Sequence, residues 1–559
     1  MDATNTNSSR EMRNESESSV RLTSSTLENL KHVKALEGYL DEVAGAHPIF
    51  SYSPLEATTA VLTLREYAYD EGGMLWQGSI EVLVPKLFKN CTGDLSGTPS
   101  PELGIDALQL YDTYYLIREL LYYTYNFPRS VLWSFPSKNR VKISIADRTI
   151  PLQIWHDYNQ WFVSSRRELK DIDPEATYRL VQQVEKEHSP SKELDLALDG
   201  CMVEAKTKLD AYYNFLPDDL VFSEYSVLEF KAVYRLLTAR SLLARYFAMR
   251  HRELSMGHGY SCLTLPRSQL EDALVYDASI SREKVRAILR DLTYDKHKAE
   301  LGFEVDMFPL LYDNKEKSFW LFPHMFCMSD CFQAIRRLWA KEDPDRYGRV
   351  VAKAVERGFT DRIERSFNAS GFTNTKPRAR VSDYTQGLPD VDLLVVTIEP
   401  GDMHVVLICE LKNPLPELTA KAYVASAKEG GHIAKADAQV KRLQGLDFIK
   451  LRELLHRSFP KLEFGTGAYA ISYLVVTSSN LGVLVTQGRN RIVDYQTLES
   501  ALRVAKGDIL VLLDLLDREK WEKEANKCFV VVQQNRRMGD VTIDLPLIGL
   551  KRLLSFERD

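Results

Sequence analysis

The chain lacks the uninterrupted apolar run of about 18 residues that a membrane-spanning helix needs. The best candidate, residues 509–513, ends at Asp514. Cysteine is scarce, with seven in 559 residues, and the cysteines are scattered through mostly apolar surroundings, which is typical of reduced core residues in an intracellular protein. No apolar signal-peptide segment lies near Met1, so we expect a cytoplasmic location and no membrane partner.

Motifs of several common enzyme classes are also missing. The chain has no GxxxxGK[ST] phosphate loop, no HExxH zinc-protease motif and no GxSxG nucleophile elbow. Their absence excludes an ATP-driven motor and the hydrolases built on those motifs. We therefore expect the chain to act on its own, as a homo-oligomer, or with a partner ATPase.

Charge of one sign is not in large excess over the whole chain. There are 72 Lys and Arg against 78 Asp and Glu, for a net charge of −6, which gives no reason to expect nucleic acid. Residues 346–505 differ, with 22 basic and 17 acidic side chains. A modestly basic unit inside an acidic protein is compatible with a phosphate-bearing partner.

The length of 559 residues indicates about three or four structural units. Residues 1–25, rich in Ser, Thr, Asn and Glu, are predicted to form a disordered tail. Residues 26–345 are predicted to be a larger, mostly helical α+β region that binds DNA or a partner. Within it, residues 279–322 place a helix before two apolar runs, an order typical of a winged-helix DNA reader and also of many motifs without that role. Residues 506–559 are predicted to be a C-terminal appendage able to pack on either domain.

Residues 346–505 carry the pattern that indicates chemistry. Apolar residues four apart predict the buried side of a helix, with Glu356 and Glu364 flanking it and Gly371 ending it. Two apolar strands follow, LPDVDLLVVTIEP and MHVVLICELKNP. The Pro-Gly-Asp turn between them predicts a hairpin.

Acidic and basic side chains converge on one face of this hairpin. Because side chains alternate along a strand, Glu410 and Lys412 share a face, as do Asp390 and Asp392 on the neighbouring strand. Two carboxylates on adjacent strands suit Mg²⁺, which keeps waters for a phosphate, and the Leu411 carbonyl adds another oxygen ligand. Lys412 is placed to orient the attacking water or to offset charge on the phosphate. These residues predict a site that hydrolyses phosphodiester bonds.

The order of helix, GLPDVDLLVV and VVLICELKN resembles the PD-(D/E)XK nuclease superfamily, which has the restriction-endonuclease-like fold. The resemblance implies an α/β domain over residues 346–505, with a mixed central sheet flanked by helices. It also implies that Asp392, or its rival Asp390, and Glu410 bind Mg²⁺ or a substituting Mn²⁺. Lys412 then assists hydrolysis as a catalytic residue.

The same resemblance implies two further catalytic positions. An acidic residue on the first helix would be Glu356 or Glu364, and spacing does not decide between them. The helix HIAKADAQVKRLQGL offers Gln439 where some members of the superfamily carry a glutamine, although Leu443 replaces the tyrosine that follows it there.

Basic side chains near these positions predict contacts with nucleic acid. The polar loop 373–387 contains Lys376, Arg378 and Arg380, and Lys435 and Arg442 share one side of the later helix with Gln439. The leading hypothesis is a Mg²⁺-dependent DNA endonuclease, such as a restriction or antiviral defence effector. The alternatives are a non-catalytic nucleic-acid-binding or assembly subunit that keeps the nuclease fold, and an RNA nuclease.

Overall fold

The structure is a computed structural model of the full chain. It describes residues 24–70, 77–127, 129–147, 150–151, 174–186, 191–211, 215–254, 260–379, 390–415, 425, 430–464, 468–478, 491–517 and 527–551. The predicted disordered tail lies outside these ranges, apart from Ser24 and Ser25, which begin the first helix.

Long helices and one strand pair form the first part of the chain. They are α1 (Ser24–Gly45), α2 (Pro54–Asp70), α3 (Gln77–Asn90), α4 (Pro101–Asn126), β1 (Val131–Ser137), β2 (Arg140–Ile145), α5 (Pro174–Lys186), α6 (Ser191–Ala211) and α7 (Val227–Glu253). Helix α4 begins where the Ser100 side chain accepts a hydrogen bond from the Leu103 N–H. Its Tyr111 and Tyr114 are buried, so they serve the core.

Shorter helices and three strands follow. They are β3 (Leu263–Pro266), α8 (Arg267–Ala278), α9 (Arg282–Leu292), α10 (Lys296–Glu300), β4 (Leu310–Asp313), β5 (Ser318–Leu321), α11 (Pro323–Met328), α12 (Cys331–Glu342) and α13 (Pro344–Arg346). The three strands form an antiparallel sheet in the order β3-β5-β4. A π-helical turn over Tyr347–Ala352 then leads into the next helix.

A five-stranded mixed sheet carries the predicted site. The remaining elements are α14 (Lys353–Ala369), β6 (Thr375–Ala379), β7 (Val391–Glu399), β8 (Met403–Lys412), α15 (His432–Gln444), α16 (Phe448–Ser458), β9 (Tyr469–Thr477), β10 (Arg491–Asp494), α17 (Tyr495–Ala505), α18 (Ile509–Leu515), β11 (Phe529–Met538) and β12 (Val541–Leu550). The strand order is β10-β9-β8-β7-β6. Strands β6, β7 and β8 are antiparallel, whereas β8, β9 and β10 are parallel.

Helices cover both faces of this sheet because apolar side chains point to both sides of its central strands. On one face, Leu393 and Leu407 join a core with Phe359 of α14. On the other face, Leu394 and Ile408 join a core with residues of α15 and α16. The prediction of a mixed sheet flanked by helices in an α/β chain is confirmed at this level.

The five-stranded sheet shares its core with the preceding helical region. The Phe215 ring contacts the Phe359 ring with 4.9 Å between centroids. At Gly358, an added Cβ atom would lie 2.4 Å from the Phe215 carbonyl oxygen, so the backbones approach too closely for a side chain. Packing is therefore continuous across residue 346.

The described residues of the segment 506–559 divide between two parts of the fold. Ile509 and Leu512 of α18 pack into the core beside the five-stranded sheet. Strands β11 and β12 instead complete a four-stranded sheet in the order β1-β2-β12-β11, with β12 parallel to β2. The Arg140 guanidinium forms a 3.0 Å ion pair with Asp544 across this junction.

Among the helices in the described ranges, none combines the length and the apolar character required to cross a membrane.

Candidate functional site

The end of the β7–β8 pair brings the predicted residues together. The register places Leu393 opposite Cys409, and the turn at the other end has Gly401 and Asp402 with φ angles of 84° and 60°. Continuing this antiparallel register by one residue sets Asp392 opposite residue 410. The hairpin predicted from the Pro-Gly-Asp turn is therefore present.

The Asp392 carboxylate is fixed by the backbone of the neighbouring strand. Its Oδ2 atom accepts a 2.7 Å hydrogen bond from the Leu411 N–H. Burial raises the pKa of Asp392, and this hydrogen bond and the Lys412 charge oppose the rise. Because the N–H and C=O of one strand residue point to the same edge, the Leu411 carbonyl also faces β7.

Buried Glu410 and half-buried Lys412 form an ion pair on one face of β8. The Lys412 Nζ atom donates a hydrogen bond to Glu410 Oε1, and Glu410 is only 1 % exposed. Its Oε2 atom is buried and has no hydrogen-bond partner among the described residues. Burial and the charge of Asp392 raise the pKa of Glu410 to about 7, although Lys412 opposes the rise.

Charges of two more acids act on Asp392. The negative charges of Glu356, on α14, and of Asp390, just before β7, raise the pKa of Asp392 further, by less than burial does. The Glu356 carboxylate therefore lies within electrostatic reach of the Asp392 carboxylate.

The residues of α15 that were predicted to lie at the site differ in their proximity to the acids. Arg442 of α15 is exposed and its charge lowers the pKa of Glu410, so it lies near that carboxylate. Lys435 is exposed on the same helix, and Gln439 is half-buried there. Among the described residues, no hydrogen bond or ion pair joins either of them to the strand pair.

The residues predicted on the basic loop fall on β6 and beyond it. Lys376 is exposed, whereas Arg378 forms an ion pair with Asp361 and donates to the Arg357 carbonyl oxygen at 3.3 Å. Arg378 therefore holds β6 against α14. Arg380 lies outside the described residues.

Sequence reasoning missed a polar contact directly beyond Lys412. The Arg336 guanidinium, on α12 and 3 % exposed, donates to Asn413 Oδ1 at 3.2 Å and to Gln333 Oε1 at 3.1 Å. The Ser478 N–H donates to the Lys412 carbonyl oxygen at 2.9 Å. The only sequence signal is Asn413 itself, a polar residue after the buried strand.

Few oxygen atoms at this end of the β7–β8 pair are available as metal ligands. In the part of the chain that the structure describes, no cluster of three or more His, Cys, Asp or Glu side chains is placed to hold a metal ion. The candidate ligands are the carboxylates of Asp392 and Glu410 and the carbonyl of Leu411. Mg²⁺ takes one or two carboxylates and retains several waters, so these donors, with the unpartnered Glu410 Oε2, fit that cation.

Comparison with known proteins adds no relative. No protein-family model, no curated protein and no solved structure matches the chain.

Proposed function

We propose that this chain is a Mg²⁺-dependent endonuclease that hydrolyses phosphodiester bonds in DNA, with a domain of the PD-(D/E)XK type over residues 346–505. The observation that supports it most is the Glu410 carboxylate, of which Lys412 holds one oxygen while the other is buried without a partner. Burying such an oxygen costs free energy. A divalent cation bound between Glu410 and Asp392 would remove that cost.

Each side chain has a definite part in such a site. Asp392 and Glu410 would hold the cation, with the Leu411 carbonyl as a third protein oxygen. When bound, Mg²⁺ polarises the phosphate and lowers the pKa of a bound water. Lys412 keeps Glu410 in place and directs its remaining N–H donors at a water or a phosphate oxygen. The Leu411 N–H fixes the orientation of Asp392.

The positive charge of Arg442 supports a phosphate-bearing substrate. Arg442 is exposed and lies near the buried Glu410 carboxylate, so a phosphate approaching Glu410 meets a guanidinium. Guanidinium groups bind phosphate oxygens in a bidentate manner. The helix α15 would therefore contact the backbone of the nucleic acid next to the bond that is cut.

Cleavage of supercoiled and linear duplex DNA with Mg²⁺ tests the proposal. Asp392→Asn keeps an acceptor for the Leu411 N–H but removes the charge, and Glu410→Gln keeps the size of the side chain. We expect either change to lower the cleavage rate by at least about 100-fold. Glu399→Gln, at the hairpin end of the same strand pair, is the control and should cut at the parental rate.

Other results would assign a different function. Parental cleavage by both Glu410→Gln and Lys412→Ala would show that the assignment is wrong. Salt-dependent DNA binding without cleavage in Mg²⁺ or Mn²⁺ would indicate the non-catalytic subunit. Cleavage of an RNA strand but not of the matching DNA strand would indicate an RNA nuclease. Circular dichroism of every variant shows whether the fold is retained.

A further inference from the structure

A second surface with the arrangement of a nucleic-acid reader lies in the helical region. Strand β3 is followed by α8 and α9, then by the short helix α10 and the β4–β5 hairpin, with β3 paired to β5. Helices α8 and α9 pack against each other and against α7. They are joined by three residues, 279–281, with Ser279 in the left-handed conformation. Two helices joined by a three-residue turn, with a hairpin after them, have the connectivity of a helix-turn-helix with an adjoining hairpin.

Helix α9 presents arginines on the side that faces away from the core. Val285, Ile288 and Leu289 are buried. The arginines at four-residue spacing share the opposite side of the helix, and Arg282, Arg286 and Arg290 have side chains that are 41 %, 49 % and 59 % exposed.

One buried carboxylate holds three of the neighbouring guanidinium groups. Glu271 of α8 is 2 % exposed and accepts hydrogen bonds from Arg267 at 2.6 Å and from Arg286 at 2.9 Å, while Arg282 lies 3.6 Å away. Burial raises the pKa of Glu271, but the hydrogen bonds from Arg267 and Arg286 lower it below its ordinary value. Glu271 thus stays ionised and fixes the arginines before any ligand arrives.

The hairpin is connected to the same cluster. The Arg267 N–H donates to the Lys317 carbonyl oxygen at 2.9 Å, at the end of the β4–β5 turn. Arg267 then reaches Glu271, which binds Arg286 of α9. The turn with Lys315 and Lys317 therefore lies beside the arginines and not at a remote corner.

Acids paired with these arginines set the expected strength of binding. Arg282 also pairs with Asp272, and Arg290 pairs with Glu224 and Asp291. A phosphate at these positions would exchange one ion pair for another. Binding should therefore be moderate in strength and should weaken steeply as salt is added.

We propose that α9 and the β4–β5 turn bind duplex DNA, with Arg282, Arg286 and Arg290 contacting backbone phosphates along one groove. In a helix-turn-helix the second helix enters the major groove, and α9 is the second helix here. This inference rests on the proposed function for its choice of ligand, since it names the substrate as double-stranded. It places that duplex on a surface separate from the candidate metal site.

Binding of a fluorescent duplex to the full chain, followed by anisotropy in EDTA, tests the inference. The Glu410→Gln background prevents cleavage, and Arg286→Gln with Arg290→Gln removes two phosphate contacts. We expect the Kd to rise about tenfold and the slope of log K against log salt to fall by about 2. Arg457→Gln is the matched control, because Arg457 is 58 % exposed and paired with Glu453, and it should bind like the parent.

The outcomes separate this inference from the nuclease proposal. Unchanged affinity and salt slope in the double variant overturn it, as does an equal loss in Arg457→Gln or a loss confined to single strands or RNA. Arg290→Gln alone leaves the contacts of Glu271 intact, so it answers the question if the double variant unfolds. If these arginines prove necessary for binding but the parent never cuts DNA, only the nuclease proposal fails.

Discussion

The buried Glu410 carboxyl makes the stability of the metal-free protein depend on pH. Burial and the charge of Asp392 raise its pKa from an ordinary value of 4.5 to about 7. Since the folded chain then holds this proton more tightly than the unfolded chain does, the carboxyl favours folding at low pH. That contribution is fully present below about pH 4.5 and is lost as the pH rises through about 7.

The size of the effect follows from the pKa. At about 1.4 kcal/mol for each pH unit, the rise corresponds to ~3 kcal/mol of folding free energy lost by pH 8. Glu410→Gln puts a neutral side chain of the same size in this place and so avoids the loss. We expect the variant to be more stable than the parent by up to about 3 kcal/mol at pH 8, and by less than about 1 kcal/mol at pH 5.

Urea unfolding in EDTA at pH 5 and pH 8, followed by circular dichroism, measures the difference. Glu399→Gln, at the far end of the same hairpin, should follow the parent at both pH values. Equal pH dependence in the parent and in Glu410→Gln would refute the reasoning, because the free energy of unfolding would then not depend on ionisation of Glu410.

Two further substitutions test the packing around the site. Gly358→Ala would set a Cβ atom 2.4 Å from the Phe215 carbonyl oxygen and should destabilise the fold by about 1–3 kcal/mol. Gly348→Ala, where a Cβ meets nothing within 4 Å, is its control, and equal urea midpoints would contradict the packing argument. Arg336→Ala leaves the Asn413 amide without its donor and should cost about 1–3 kcal/mol of unfolding free energy. A thermal unfolding curve that matches the parent would show that this contact is not important for stability.

Local patterns were enough to predict the hairpin and the face that Glu410 and Lys412 share. Alternation along a strand and the glycine turn at residue 401 are short-range signals, and the structure has both. The choice between Glu356 and Glu364 could not be made in the same way. The two acids lie on one helix, and which of them approaches Asp392 depends on how α14 packs on the sheet, which spacing along the chain does not show.

The sequence contains no comparable short-range signal for contacts between distant segments. Arg336 and Asn413 are 77 positions apart, and nothing about a single arginine on an amphipathic helix predicts that it reaches the end of β8. The domain boundary predicted at residue 346 likewise depends on contacts between distant segments. The core beside β7 includes Phe215 and Phe230 from the helical region, and such long-range packing leaves no mark in composition or periodicity.

The pairing of β12 with β2 has a consequence for how the molecule is made. On the ribosome, Arg140 emerges 404 positions before Asp544, its ion-pair partner. Until then the edge of β2 offers open backbone groups to any neighbouring chain, which is a hazard for aggregation. The β11–β12 hairpin therefore covers the edge of β2 only late in synthesis. Loss of this hairpin should destabilise the helical region at the opposite end of the sequence and leave the strand pairing of the five-stranded sheet intact.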